Sequence, residues 1–287
     1  MTRYITSIFI SRKKIQNKYS VINAYIQEIL CLTHRLIIQA KRRPASIVSN
    51  LIQPLLWLIL FGALFKDMPL NLFHTKHKYS HFLSCGIIVF TCFTGSLNAG
   101  LPLIFDREFG FLNRLLVTPI KSKNTIFFAC IVFIACITTI QNFMMITLGL
   151  KSFIHVINTF NLLIIIVLNI LLTMTISSIS IGMAFMVPGH IEFLAFIIMV
   201  NLPTLFASTA LAPLYLMPYW MQTVAKFNIL TYAIETLRFI IINNNHSLFV
   251  IEVFGKNLYL TEVFSLLILL NILSFITINY FINNKLE

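Results

Sequence analysis

Residues Asp106 to Pro119 read D-R-E-F-G-F-L-N-R-L-L-V-T-P, a compact polar island between two long apolar runs. Three charges, Asp106, Arg107 and Glu108, follow directly on an uncharged stretch. Phe109, Leu112, Leu115 and Leu116 then recur at helical spacing, with Arg114 on the other side. The pattern predicts a short amphipathic helix at a membrane edge. Thr118-Pro119 stops it, because proline disfavours helix at the residue before it and brings no N–H to continue the ladder. A span, a charged turn, an interfacial helix and a second span together make a lever that can pass motion from a soluble partner into membrane helices.

The rest of the chain fits that setting. Of 287 residues 58% are hydrophobic and only 10% charged, with a mean hydropathy of +0.89, which excludes an ordinary soluble domain. Apolar residues cluster into runs of twenty or more, the length a helix needs to cross a bilayer core. The fold class is therefore an all-α polytopic membrane protein. A net charge of +12 raises nucleic acid as a partner. The basic residues form no folded face interleaved with aromatics, so nucleic acid is not expected. They flank the spans, where they set orientation and meet anionic lipid. Cys31, Cys85, Cys92, Cys130 and Cys136 are odd in number and mostly inside apolar runs, which reads as free core thiols rather than a disulfide or zinc framework.

Six spans are expected, at roughly 47–65, 82–105, 124–149, 159–186, 191–212 and 259–282. Before them, residues 1–46 form a basic arm and an interfacial helix. Arg3, Arg12, Lys13, Lys14 and Lys18 precede any acidic residue, as in an organelle presequence or in a basic cytoplasmic arm beside a membrane helix. From Ile22 to Ala40, Ile22, Ile26, Ile29, Leu36 and Ile37 follow helical spacing, with Gln27, Glu28, Arg35 and Gln39 elsewhere on the wheel. With both termini inside, the inner segments carry fourteen Lys/Arg (nine in 1–46, four in 106–123, and Lys285) and the outer segments seven. That asymmetry places residues 106–119 on the inner side. Gly95 with Ala99 and Ser178 with Gly182 have the spacing that lets helices approach closely, within one chain or across a dimer seam. Gln141, Asn142, Asn169 and Asn201 are amides in or near spans and are read as satisfied within the bundle.

The wording of Arg107-Glu108, Gly110 and Leu112-Asn113-Arg114-Leu115-Leu116-Val117-Thr118-Pro119 resembles the shared motif of ABC-2 type exporter permeases. A second likeness lies upstream, from His34-Arg35 through Arg43-Pro44 to Gln53-Pro54 and Leu56 to Gly62. A third lies at Asn228-Ile229-Leu230-Thr231-Tyr232 with Glu235 and Arg238, where Ile229 stands in place of the family's usual proline. The composition is closest to that of plastid-encoded members. The resemblance implies a coupling helix that docks on a separate ABC ATPase subunit, with Arg107, Glu108, Gly110, Leu112, Arg114, Leu115, Thr118 and Pro119 carrying that task. It implies a transmembrane domain over 47–287, an external re-entrant region over 213–257, and two permeases working as a homodimer or pseudo-dimer. It also implies ATP-Mg bound on the partner, and a multi-pass location in a plastid membrane or, alternatively, a bacterial inner membrane.

The chemistry absent from the sequence agrees with that division of labour. There is no G-x-x-x-x-G-K-[ST] phosphate loop, so this chain holds no ATP by that route and is not expected to be an enzyme. His74, His77 and His81 could share a helical face, but no carboxylate or thiol beside them completes a metal site. No Asp, Glu, Lys, Arg or His falls in the middle third of an expected span, where an ion-coupled carrier would keep its ion site. A subunit of an ATP-driven exporter is therefore the leading reading, with a membrane scaffold or an ion-coupled carrier as alternatives and the substrate unassigned.

Overall fold

The computed structural model describes residues 21–42, 44–65, 79–118, 124–149, 159–242, 250–253 and 256–286. Expectations resting on Met1–Lys18, Arg43, His74, His77, Pro119 and the remainder of the 213–257 stretch lie outside the described residues.

The elements are helices α1 (Val21–Arg42), α2 (Pro44–Leu64) and α3 (Tyr79–Leu97), then α4 (Leu101–Glu108), α5 (Phe111–Val117), α6 (Asn124–Gly149) and α7 (Thr159–Met186). They continue with α8 (His190–Phe206), α9 (Tyr219–Phe227), α10 (Ile229–Ile242), a hairpin of β1 (Ile251–Val253) and β2 (Lys256–Leu258), and α11 (Leu260–Leu286). The hairpin strands pair antiparallel, with Ile251 opposite Leu258. Among the described residues four stretches are long and apolar enough to cross a membrane: Tyr79–Glu108, Asn124–Leu148, Thr159–Met186 and Leu260–Tyr280. Val48–Leu64 and His190–Phe206 are apolar but shorter.

The core is organised around α3, buried along nearly its whole length and packed against α2, α6, α7 and α10. A single 3-10 turn, Asn98–Gly100, joins it to α4, so the two run as one rod ending at Glu108. Gly100 makes the crowding possible there. A Cβ on it would stand 2.6 Å from the Phe193 ring and 2.8 Å from the Ser180 carbonyl oxygen. The same contact is fastened by hydrogen bonds, with the Gly100 N–H donating to Ser180 Oγ at 3.1 Å and the Ser180 hydroxyl donating to the Leu97 carbonyl. Outer apolar side chains such as Phe143 on α6, Met199 on α8 and Ile272 on α11 stay exposed, a belt suited to lipid rather than water.

The small-residue pairs serve packing within the chain. Gly95 faces Thr138 and Gln141 of α6, and Gly182 faces Ile278 of α11. Helix α1 divides its apolar arc in two. Leu36 and Thr33 pack inward, with α6 the main neighbour of the helix, while Ile26, Leu30 and Ile37 point out of the protein.

Candidate functional site

Asp106 to Thr118 does not form one helix. Asp106, Arg107 and Glu108 are the last turn of α4, Phe109 and Gly110 make a turn, and α5 begins at Phe111. The break lies at Gly110, whose φ of 69° is the left-handed conformation that side chains with a Cβ disfavour. The expected buried face therefore loses one member. Leu112 is buried and Leu115 and Leu116 are half-buried, but Phe109, in the turn, is 76% exposed.

The three charges are each held by a different element. Asp106 pairs with Arg35 of α1, and the Arg35 guanidinium lies 4.3 Å from the centre of the Phe111 ring, so α1 is pinned to both ends of the turn. Arg107 reaches across to the end of α7. It donates to the carbonyl oxygens of Ala184 at 3.0 Å, Val187 at 2.5 Å and Pro188 at 2.8 Å. The last carbonyls of a helix have no partner within it, and a cation there also suits the helix dipole. Glu108 takes the opposite pole of the same corner. Its carboxylate accepts the backbone N–H of His190 at 2.6 Å and contacts the His190 ring Nδ1 at 2.6 Å, at the N-terminus of α8. Residues 107 and 108 thus bracket the α7–α8 turn, one binding carbonyls where a helix ends and the other binding an N–H where the next begins.

Among the described residues, the motif leaves a small outward face around α5. Asn113, Arg114 and Thr118 are exposed, and Val117 is 87% exposed, as Phe109 is at the other end of α5. An arginine among bare apolar side chains suits a protein–protein contact, because such contacts combine apolar anchors with arginine. Of the residues singled out from the motif, Arg107, Glu108 and Leu112 are spent on contacts within the chain, and Gly110 sets the bend. Leu115 is half-buried, Arg114 and Thr118 face out, and Pro119 lies outside the described residues. Sequence reading did not find the partners Arg35 and Ala184–His190. The opposite charges of Arg35 and Asp106 were the only signal for the first, and nothing local signalled the second.

The opposite end of α3 carries a second polar node. Arg238 of α10 is buried, pairs with Glu235 at 2.5 Å, donates to the Thr209 carbonyl and lies 3.4 Å over the Phe82 ring. The expected i, i+3 pair is present, and it also ties α10 to α3 and to the turn after α8. Asn228, at the turn before α10, ties the start of that helix to the end of α8. Its amide donates to the Thr204 and Ala207 carbonyls at 2.9 Å each, and its Oδ1 accepts the Leu230 N–H at 3.0 Å. Gln141, Asn142, Asn169 and Asn201 are all buried. Among the described residues no group of three His, Cys, Asp or Glu side chains could hold a metal ion.

Comparison with known proteins accords with this architecture. The chain is 46% identical over 267 residues to the "Putative transport permease ycf38" of Pyropia yezoensis, covering 92% of each chain. It is 46% identical over 264 residues to the protein of the same name in Porphyra purpurea (91% of this chain and 89% of the relative), and 45% identical over 249 residues to that of Cyanophora paradoxa (85% and 86%). The family model described as "ABC-2 type transporter" matches residues 27–242, which include most of α1, both polar nodes and the outward face of α5. This chain belongs to the ABC-2 type transporter family, as a transport permease.

Proposed function

We propose that this chain is the membrane subunit of an ATP-driven exporter, working as one of two permeases clamped by separate ABC ATPase subunits in a plastid membrane. ATP and Mg²⁺ belong to the ATPase, and α5 is where it docks. The observation that carries the reading is the division of labour in residues 106–118. Phe109, Arg114 and Val117 are left outward for a partner, while Arg107 and Glu108 connect that face to the α7–α8 turn. A push on α5 would be felt at once by α4, α7 and α8. The absence of a phosphate loop in the sequence agrees with a motor supplied by another chain.

Six crossings complete the topology. To the four long stretches we add α2 and α8, whose apolar parts of 17 residues span about 25 Å. That is a few ångströms short of the hydrocarbon core, a mismatch that local thinning of the bilayer accommodates at modest cost. With six, α5 falls on the side richer in Lys and Arg, as coupling requires. The plastid location follows the relatives in Pyropia, Porphyra and Cyanophora.

The test is purification of the full chain in mild detergent, followed by identification of what co-purifies. Wild type is expected to retain a P-loop ATPase, and Arg114→Glu with Val117→Asp to lose it while still inserting. Retention of the ATPase by that double variant would refute docking through α5. Pull-down of large membrane complexes with no ATPase would favour a scaffold, and transport in vesicles without ATP would favour an ion-coupled carrier.

A further inference from the structure

A cavity of about 320 Å³ lies between α1, α2, the α3–α4 rod and α6, with Leu194 of α8 on its edge. Its volume equals that of about ten waters, at the lower end of the range for small-ligand pockets. Among the described residues its polar lining is uncharged: Gln39, Ser49, Asn50, Asn98 and Gln141. The rest is apolar, with Leu36, Leu101, Phe133, Ile134 and Ile137 the main contributors.

Two of the amides are only partly used. Asn98 donates through Nδ2 to Asn50 Oδ1 at 3.2 Å and to the Thr94 carbonyl at 3.0 Å. That leaves the side-chain Oδ1 of Asn98 and the side-chain NH₂ of Asn50 as one acceptor and one donor, the complement of a hydroxyl or amide. A charged ligand would be stripped of water with no opposite charge among these walls, which is strongly unfavourable. A wholly apolar one would leave the amide groups unpaired. The cavity therefore selects a molecule with uncharged hydrogen-bonding groups and apolar bulk. The roof is α1, whose other face turns Ile26, Leu30 and Ile37 outward, as a helix lying in the lipid interface does.

We propose that this cavity binds an uncharged amphiphile, bearing hydroxyl or amide groups, taken from the leaflet beside α1. Because Asn98 stands at the 3-10 turn between α3 and α4, an occupant touches the rod that ends at the Arg107–Glu108 bracket. The bound molecule is either a resident membrane lipid or the cargo itself, two sources with the same chemistry.

The test uses the full chain in nanodiscs containing equal amounts of a monohexosyl diacylglycerol and phosphatidylglycerol, with lipid retained on the protein counted by native mass spectrometry. Wild type is expected to retain the hexosyl lipid in preference. Asn50→Leu, which removes one hydrogen-bonding group, is expected to lower retention about fivefold. Ala40→Trp, which fills the cavity from α1, is expected to abolish it. Unchanged melting temperatures show that both variants remain folded, and if Ala40→Trp does not fold, Asn50→Leu alone decides. Preference for phosphatidylglycerol, or equal retention of the hexosyl lipid by wild type and the folded variants, overturns the proposal. In the complex with the co-purified ATPase, release of the hexosyl lipid on ATP addition identifies cargo and continued retention identifies a resident lipid; both outcomes confirm the site.

Discussion

Replacing Arg107 by alanine removes the cation that closes the end of α7. The side chain donates to three carbonyl oxygens, of which those of Ala184 and Val187 are partly buried and that of Pro188 is exposed. A charge-assisted hydrogen bond is worth about 1.5–3 kcal/mol, and an exposed one much less. Counting the two partly buried bonds as non-additive and neglecting the third gives about 3 kcal/mol for Arg107→Ala. For a chain of this size each kcal/mol moves the melting temperature by about 2–4 °C, so a fall of about 6–12 °C is expected. The protein supplies its own probe. Cys85, Cys92 and Cys130 are buried free thiols, and a thiol-reactive fluorophore in detergent reports their exposure on melting. Arg107→Lys keeps the charge but lacks the planar fork, and is expected to lose about half as much. Because the outward face of α5 is untouched, both variants should still hold the ATPase. A shift below about 1 °C for Arg107→Ala would refute the bracket.

Three further expectations rest on single positions. Gly110→Val should destabilise by about 1–2 kcal/mol through its φ of 69° alone, because nothing lies within 4 Å of the added Cβ. Gly110→Asn should cost less, and equal melting temperatures for the two would contradict a left-handed turn. Gly86→Ala places a Cβ 2.5 Å from the Ala210 carbonyl oxygen, with an overpacking cost of about 1–3 kcal/mol. Gly62→Ala, with open space around it, should be neutral or stabilising in the same melting assay. Arg238→Met strands Glu235 in a largely buried position and should cost about 3–5 kcal/mol. Adding Glu235→Gln should restore part of that loss, and strict additivity of the two changes would show that the pair is not coupled.

The features legible in the sequence are those set by local spacing. Asp106–Pro119 announces a charged end to a span followed by a short amphipathic piece, because charge and leucine spacing are local. Glu235 and Arg238 announce a pair because three residues on a helix bring them together. The division of the first stretch at Gly110 was less legible. Phe109, Leu112, Leu115 and Leu116 form one helical stripe in the sequence, and only the backbone reversal at the glycine turns Phe109 outward. Least legible were the partners of Arg107 and Glu108, about eighty residues away at Ala184–His190. Those contacts exist because α7 ends and α8 begins beside the tip of α4, a consequence of how helices stack rather than of any nearby residue pattern. The amphipathic α1 was visible as a stripe, but its use of Arg35 to hold Asp106 was not. The outer limit of the fifth expected span was also misjudged. Residues 191–212 are mostly apolar, yet α8 ends at Phe206 and the following turn is drawn inward by Asn228 and Arg238.

The claim on which the functional account turns is that a separate ATPase grips the outward face of α5. The most direct measurement replaces Val117 by p-benzoylphenylalanine in the full chain, irradiates membranes, and identifies the adduct by mass spectrometry, with Trp220 on α9 replaced in the same way as a control at the other end. The account predicts a P-loop ATPase cross-linked from position 117 and none from position 220. An ATPase captured from position 220 and not from position 117 would contradict it.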